Sequence, residues 1–342
     1  MVADTAAGML TRILRKVNRI VLCYDDRKNW AKAYRISTSR KRRQAGEVDR
    51  NDKRRKIGAM PELPEAETIA RQLHRQLAGY SLGDVHLARA DIVKTPTPGL
   101  QQLLPRRRVI RVYRRAKRVV LELDPPATIV FGLGMTGRLT VVPAHAEVEK
   151  HTHLRIAIPH IEAELRFRDP RRFGGIWFHE PRSLPAGGKQ EVDPFEAFGI
   201  EPLTCTSKEF REVIARKRQI KALLMDQRAV AGLGNIYCDE SLHAAGIHPL
   251  TPANRLDDAE AGRLLKAIKS VLRRAIRSKG STLMDYRDAD GAEGGFQRLH
   301  RVYAREGRPC KTCGTKIKRI IAAGRSTHFC PKCQPKRTVR RA

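Results

Sequence analysis

The sequence predicts an α+β protein in which a β-sandwich lobe with a leading helix precedes a helical lobe and a small four-cysteine zinc-finger hairpin. Three observations support this prediction: short β-branched runs begin after residue 83, helical periodicity dominates beyond residue 195, and four cysteines cluster near the carboxyl end. The 342 residues, 41% of them hydrophobic, suffice for about two domains. No apolar run approaches the ~20 residues of a transmembrane helix.

The first 59 residues form a basic segment with 17 basic and 6 acidic residues, or +11 of the total net charge of +32. Clusters of positive charge and little apolar periodicity lead us to expect a disordered segment, or one absent from the native protein. The remaining +21 lies beyond residue 59, so the folded part is itself basic. This charge favours a polyanionic partner, although a solubilising surface would give the same balance.

A helix is predicted directly after Pro64, with Gly79 as its stop. Its apolar residues at helical spacing are Ala66, Ile69, Ala70, Leu73 and Leu77.

Six β-branched runs follow, and turn residues such as Asp124-Pro125-Pro126 separate them. The runs are Val109 to Tyr113, Val119 to Leu123, Thr128 to Phe131, Leu139 to Val142, Leu154 to Ile158 and Leu165 to Phe167. Short strands at this spacing predict a β-sandwich or barrel. Pro181 to Gly188 then marks an expected hinge between the lobes.

The helical lobe includes a long predicted helix that ends at Gly280. Its apolar face is formed by Leu264, Leu265, Ile268, Val271, Leu272 and Ile276. Hairpin-like runs follow at Lys316 to Ala322 and Ser326 to Phe329. We therefore predict an extension over residues 1–59, a sandwich domain over 60–185, a helical domain over 195–300 and a terminal module over 302–336.

Four cysteines, Cys310, Cys313, Cys330 and Cys333, form the pattern C-x2-C-x16-C-x2-C. Two thiolate pairs with short internal spacing can together chelate one tetrahedral zinc ion. The pattern therefore predicts a single structural zinc in a reducing compartment, rather than a disulfide framework. Because four thiolates leave no open coordination position, we expect the metal to hold shape and to do no catalysis.

The segment Met60-Pro61-Glu62-Leu63-Pro64-Glu65 resembles the first residues of the formamidopyrimidine-DNA glycosylases, and further motifs follow in that family's order. Gly232-Leu233-Gly234-Asn235-Ile236-Tyr237 resembles its helix-two-turn-helix signature, and the resemblance extends to about Gln334. It implies a base-excision repair enzyme that removes oxidised purines, such as 8-oxoguanine and formamidopyrimidines, from damaged duplex DNA. It also implies abasic-site lyase activity by β,δ-elimination, in a monomer that works at the bacterial nucleoid in the cytoplasm.

The same resemblance implies roles for individual residues at the reacting nucleotide. The nitrogen of Pro61 would be the nucleophile, and Glu62 the acid/base toward the sugar oxygen. Lys117, in Arg114-Arg115-Ala116-Lys117, would assist at the sugar. Asn235 would bind phosphate, and Arg325 on the cysteine hairpin would grip the phosphates that flank the damage.

The resemblance also implies a wedge of Met135, Arg171 and Phe173 that would fill the hole left by an extruded base. Core packing is the alternative for the two apolar residues. Glu65 and Glu240 complete the expected DNA-binding set as internal acids around Glu62. Glu240 is expected to anchor the start of the motif at Pro61.

Two features depart from the family pattern. The nitrogen of Pro61 is locked in an amide, so we expect an upstream start wrongly chosen, in preference to a processed targeting segment or a permanent domain. Gly132 stands where the family often has a phosphate-binding histidine, so a phosphate contact is expected to be missing or moved. Ser281 to Gln297 occupies the place of a mobile loop over the damaged base.

Two alternatives stay open at this point. A sister glycosylase of the endonuclease VIII type prefers oxidised pyrimidines, but Leu63 after Pro61-Glu62 and the complete wedge set argue against it. A non-catalytic protein that binds damaged DNA is the second alternative, if the extension is retained.

Overall fold

The computed structural model describes residues 60–95, 99–180, 195 and 197–336. The basic extension and the hinge expected at Pro181 to Gly188 lie outside these residues. The first element, α1 (Leu63–Leu77), forms where the apolar spacing predicts it. The chain turns at Gly79, which has a φ of +90°.

Eight strands form two four-stranded antiparallel sheets. The strands are β1 (Val85–Leu87), β2 (Arg108–Arg115), β3 (Arg118–Asp124), β4 (Ala127–Gly132), β5 (Arg138–Pro143), β6 (Thr152–Ile158), β7 (Ala163–Arg168) and β8 (Gly175–His179). Their orders are β1-β6-β7-β5 and β2-β3-β4-β8. The inner faces share one core, in which the rings of Phe131 and Phe167 lie 5.7 Å apart.

All six predicted runs lie within observed strands, and the predicted fold class is confirmed. The sequence reading missed β1 and β8, which are both edge strands. Strand β1 has only three residues and no buried side chain, and β8 begins with a glycine, so neither carries a strong alternating signal. A short helix, α2 (Leu100–Leu103), and turns of 3-10 helix connect the strands.

The second lobe is helical, with α3 (Ser207–Ile214), α4 (Ile220–Met225), α5 (Asn235–Ala245) and α6 (Asp258–Arg277). Helix α6 contains the predicted apolar face and stops three residues before Gly280. Within the described residues, no helix is both long and apolar enough to cross a membrane.

Helix α1 connects the two lobes at its amino end. Leu63 lies in the core of the helical lobe, whereas Ala66, Ile69 and Leu73 lie in the sandwich core. The backbone N–H of Leu63 also donates to the carbonyl of Gly232, at 3.0 Å. The segment from Pro61 to Glu65 is therefore held where the lobes meet.

The terminal module is a hairpin of β9 (Lys318–Ala322) and β10 (Arg325–Phe329), joined by a two-residue turn. Both turn residues, Ala323 and Gly324, have positive φ, as tight hairpin turns require. Val302, Ile317 and two of the cysteines form a small core of their own beneath it.

Candidate active site between the lobes

The carboxylate of Glu62 caps the amino end of helix α5. It accepts hydrogen bonds from the backbone N–H groups of Gly234 (2.9 Å) and Ile236 (3.0 Å). A Cβ atom at position 234 would lie 2.4 Å from Cδ of Glu62, so only glycine permits this approach. An internal carboxylate therefore already occupies the positive end of this helix.

Glu62 has the electrostatic character of an acid/base group. Only 3% of the residue is exposed, and burial raises its pKa to about 7. The positive charge of nearby Lys117 and the backbone hydrogen bonds partly oppose this rise. A carboxyl group with a pKa near neutrality can both donate and accept a proton under physiological conditions.

Glu65 lies one helical turn further on, and all its partners are internal. It accepts hydrogen bonds from the backbone N–H of Glu62 (2.9 Å), the hydroxyl of Tyr237 (2.6 Å) and the backbone N–H of Ser281 (2.7 Å). Burial raises its pKa. Glu65 therefore holds the Pro61 segment in place and is too buried to contact DNA.

Glu240 has a different role from the one expected. Its carboxylate accepts hydrogen bonds from the backbone N–H groups of Arg301, Val302 and Tyr303, each at 2.9 Å. It anchors the segment that leads into the cysteine hairpin, so its assignment to the Pro61 motif and to DNA is corrected. The physical reason is helical rise: Glu240 lies about 9 Å along α5 from Gly234, where Glu62 binds.

Asn235 is fixed by a buried lysine that the sequence reading missed. Lys221 is fully buried, and its Nζ atom donates to Oδ1 of Asn235 (2.6 Å), Oδ1 of Asp239 (2.6 Å) and Oγ1 of Thr327 (2.7 Å). The available signal was a lysine within an otherwise apolar helical run, since buried lysines need partners. This network ties α4 and α5 to strand β10.

Arg325 lies at the start of β10, directly before Ser326, whose carbonyl accepts from Nδ2 of Asn235 at 2.9 Å. Its side chain is exposed and makes no ion pair with any residue in the described part of the chain. The hairpin thus presents an exposed guanidinium next to the helix-two-turn-helix motif.

The three expected wedge residues come from two adjacent loops. Phe173 is 60% exposed and Met135 is half-buried, while the guanidinium carbon of Arg171 lies 4.6 Å from the ring centroid of Phe173. Core packing therefore does not explain Phe173. An exposed aromatic ring stacked by an arginine is consistent with insertion into a duplex.

A single buried carboxylate joins these two loops, and the sequence reading gave it no role. Asp169 accepts from the hydroxyl of Thr136 (2.5 Å) and from the backbone N–H of Gly174 (2.7 Å). Gly134, at a φ of +59°, packs so tightly that a Cβ atom would lie 2.5 Å from the nitrogen of Gly174. Asp169 and Gly134 together fix the loop that carries Met135 against the loop that carries Phe173.

Lys117 lies in the tight turn between β2 and β3. The preceding Ala116 has a φ of +54°, and its N–H donates to Oε1 of Glu201 at 2.9 Å. Arg114 also pairs with Glu201 and with Glu67, which fastens the turn to both lobes. This turn brings Lys117 within electrostatic reach of Glu62.

The loop from Ser281 to Gln297 is bound to α1. Gln72 donates to Oδ2 of Asp288 (2.9 Å) and accepts from the N–H of Ala289 (3.0 Å). Tyr286 and Ala289 are buried in the sandwich core. The loop is thus anchored beside Glu65, and Gln72 is a further residue that sequence reasoning missed.

The four cysteine sulfurs lie within 4.8 Å of one another. The separations of Cys313 from Cys330 (3.4 Å) and of Cys310 from Cys333 (3.9 Å) suit a tetrahedron with Zn–S bonds of about 2.3 Å. Backbone N–H groups of Thr312 and Cys333 also point at cysteine sulfurs, which stabilises thiolate charge. The donor set therefore fits one structural zinc ion, as the spacing predicts.

Three protein-family models match successive segments of the chain, in the order sandwich lobe, helical lobe and cysteine hairpin. The family models for the formamidopyrimidine-DNA glycosylase N-terminal domain, its H2TH domain and the zinc finger found in FPG and IleRS match residues 60–176, 198–287 and 307–336. A formamidopyrimidine-DNA glycosylase of Herpetosiphon aurantiacus is 44% identical over 280 residues, which are 80% of this chain and 100% of that protein.

Solved structures give the same result. The MutM (Fpg) protein from Thermus thermophilus is 38% identical with a TM-score of 0.69, and 81% of this chain matches 100% of that chain. A Lactococcus lactis Fpg variant bound to Fapy-dG-containing DNA is 31% identical with a TM-score of 0.71, over 81% of this chain and 100% of that chain.

Proposed function

The chain belongs to the formamidopyrimidine-DNA glycosylase family, and on that premise we propose that the nitrogen of Pro61 is its nucleophile. The protein is a base-excision repair enzyme, a DNA glycosylase with abasic-site lyase activity. It acts on double-stranded DNA that contains damaged bases. We take its substrates to be oxidised purines, because similar proteins were solved with Fapy-dG and with carbocyclic 8-oxo-G in their DNA.

The observation that carries the proposal is the position of Glu62. Its carboxylate adjoins Pro61 in sequence, is buried where the lobes meet, and has a pKa raised by burial to about 7. A proton donor thus directly follows the proposed nucleophile in the chain. Lys117 adds a positive charge that suits the phosphates and the reacting sugar.

In the proposed reaction, the lone pair of the Pro61 amine attacks C1′ of the extruded nucleotide. The N–C1′ bond forms, the bond to the base breaks, and the base leaves with the electron pair and takes up a proton. Glu62 then protonates the sugar ring oxygen, so the ring opens and a cationic iminium forms. The iminium acidifies C2′, and loss of its proton expels the 3′ phosphate. A second elimination expels the 5′ phosphate.

Amide formation decides whether this reaction can start. The nitrogen of Pro61 bonded to Met60 has no lone pair for attack. A free α-amino group has an ordinary pKa of about 7.7 to 8.0, so an appreciable neutral fraction exists at physiological pH. The proposed active species therefore begins at Pro61.

The remaining candidate residues have proposed roles in nucleotide extrusion and in phosphate binding. We assign Met135, Arg171 and Phe173 to the space vacated by the extruded nucleotide, and Asn235 and Arg325 to phosphates beside it. The domain limits 60–185, 195–300 and 302–336 are proposed as the functional units. We also propose that the protein works at the nucleoid in a bacterial-type cytoplasm, since its relatives are DNA repair enzymes named from bacteria.

Borohydride trapping on duplexes with 8-oxoguanine tests the proposal. Protein expressed from Met60, which yields Pro61 after removal of the initiator, is expected to form a covalent adduct. The uncleaved 342-residue chain and the same short protein with its amino group acetylated are expected to form none. Amino-terminal sequencing of untrapped active enzyme should read Pro61 first.

An adduct on the intact chain would overturn the assignment of the Pro61 nitrogen as nucleophile. Lys117 would then be the next candidate nucleophile. A parallel panel with oxidised pyrimidines separates the endonuclease VIII alternative. If only pyrimidine lesions were excised, the proposed substrate class would be wrong.

A further inference from the structure

Three arginines lie around the turn that carries Lys117, and one of them differs from the others. Arg114 and Arg115 both pair with Glu201, each at 2.8 Å. Arg118, at the start of β3, forms no ion pair with the part of the chain that the structure describes. Burial lowers its pKa. Among the described residues, this guanidinium is therefore a half-buried cation without an anion.

Two aromatic rings hold the Arg118 guanidinium. Its central carbon lies 4.1 Å from the ring centroid of Trp177 and 5.1 Å from that of Phe198. Stacking on rings restricts a planar guanidinium while its N–H groups, which lie in the plane, stay available. The side chain is thus oriented before any ligand arrives.

Gly132 is part of the same arrangement. It is the direct cross-strand partner of Arg118 on one side and of Gly175 on the other. Directly opposed residues project to the same face of a sheet. A Cβ atom at position 132 would lie 3.0 Å from Cζ3 of Trp177, so the absent side chain is what leaves room for the ring that supports Arg118.

We propose that Arg118 binds a phosphate of the DNA backbone beside Lys117, in the place left by Gly132. A planar fork of N–H donors matches two phosphate oxygens, and an unpaired, half-buried cation gains most when an anion arrives. The inference rests on the proposed function, since it requires DNA between the lobes. A histidine at position 132 would displace Trp177 and is therefore expected to weaken DNA binding.

The test compares Arg118→Gln with Arg111→Gln. Arg111 is the matched control, because it lies on the neighbouring strand β2, stacks on Tyr113 at 4.6 Å and is already paired with Glu122. Both substitutions remove one positive charge from the same sheet. Binding to a duplex with a tetrahydrofuran abasic analogue is measured over a range of salt concentrations.

Arg118→Gln is expected to weaken binding about tenfold or more, as loss of a charged hydrogen bond predicts. The slope of log K against log salt should fall by about 0.9, the value for one phosphate contact. Arg111→Gln should change affinity by less than about twofold. Arg118→Lys should keep the slope and recover only part of the affinity, since lysine lacks the planar fork.

A scan with single neutral methylphosphonates identifies the phosphate. At one position of the DNA backbone, the methylphosphonate should lower the affinity of the wild-type protein but should not lower that of Arg118→Gln any further. If Arg118→Gln folds poorly, the same position must show a smaller penalty in Arg118→Lys than in the wild type. The inference would be overturned if, at every position, the affinity loss caused by the methylphosphonate added fully to the loss caused by Arg118→Gln. It would also be overturned if a well-folded Arg118→Gln protein had the affinity and the salt dependence of the wild type.

Borohydride trapping of the wild-type protein that begins at Pro61 distinguishes a failure of the proposed function from a failure of the Arg118 inference. If it forms no adduct, the proposed function fails. If it forms one while Arg118→Gln binds as the wild type does, only this inference fails.

Discussion

At the scale of single residues, three glutamates with raised pKa values have three different jobs. Glu62 caps α5 beside the proposed nucleophile, Glu65 ties α1 to Tyr237 and Ser281, and Glu240 holds the backbone before the hairpin. Burial raises the pKa of each. Of the three, Glu62 adjoins the proposed nucleophile, and the charge of Lys117 opposes the rise in its pKa. Position and not acidity therefore separates the proposed acid/base group from the structural ones.

The raised pKa of Glu62 predicts a pH-dependent stability of the intact chain. Its folded pKa is about 7, above the ordinary value of 4.5, so the folded state holds a proton that the unfolded state releases. Stability from this group is fully present below about pH 4.5 and is lost as pH rises to about 7. The advantage of wild type over Glu62→Gln in unfolding free energy should shrink across that window.

Within that window, the difference in unfolding free energy between wild type and Glu62→Gln should fall by up to about 1.4 kcal/mol per pH unit. Urea unfolding at several pH values measures it, with the exposed Glu147→Gln as control. A difference between wild type and Glu62→Gln that does not vary with pH would contradict the raised pKa.

At the scale of elements, the two loops that carry the proposed wedge residues are joined, because Asp169 accepts a hydrogen bond from each. Asp169→Asn should loosen Met135 and Phe173 together. We expect base excision to slow about tenfold while strand cleavage at a preformed abasic site changes little, since extrusion is the step that a wedge assists. Phe173→Ala should show the same selective loss.

Single-turnover rates on the damaged-base duplex and on the preformed abasic duplex measure how selectively base excision is slowed. Glu164→Gln is the matched control, because Glu164 is another buried carboxylate of the same lobe and pairs with Arg155 and Arg166 instead. Equal losses on both substrates would point to general destabilisation of the lobe.

The cysteine hairpin is the second element with a separable role. Cys330→Ala should release zinc and lower duplex affinity by at least about tenfold, because Arg325 and the Thr327 contact to Lys221 depend on the hairpin. Far-UV circular dichroism should largely persist, since the sandwich has its own core. Zinc content and binding are measured together.

Cys205→Ala, at a buried cysteine outside the cluster, should keep both zinc and affinity. Unchanged affinity in zinc-free Cys330→Ala would show that the hairpin does not contribute to DNA binding.

At the scale of the whole molecule, catalysis and binding meet because α1 belongs to both cores. Leu63 packs in the helical lobe while Leu73 packs in the sandwich, so Pro61 and Glu62 cannot move independently of either lobe. The hydrogen bond of Ala116 to Glu201 and that of Gln72 to Asp288 add further links across the same junction. Any change in the angle between the lobes would therefore reposition the proposed nucleophile.

The sequence by itself determined the fold class, the family, the four zinc ligands and six of the eight sandwich strands. These features depend on local spacing: alternation along a strand, periodicity along a helix and the short intervals between cysteines. Motif order was also sufficient to single out Pro61 and Glu62 as candidates.

Only the tertiary structure decided which groups satisfy each buried charge. Glu62 meets the amides of α5 over 170 residues away in the chain, Glu240 meets Val302, and Lys221 meets Thr327. The stack of Arg118 on Trp177 likewise joins strands that periodicity alone cannot pair. Local patterns report which face of an element is buried, whereas the partner of a buried polar group depends on how distant elements pack.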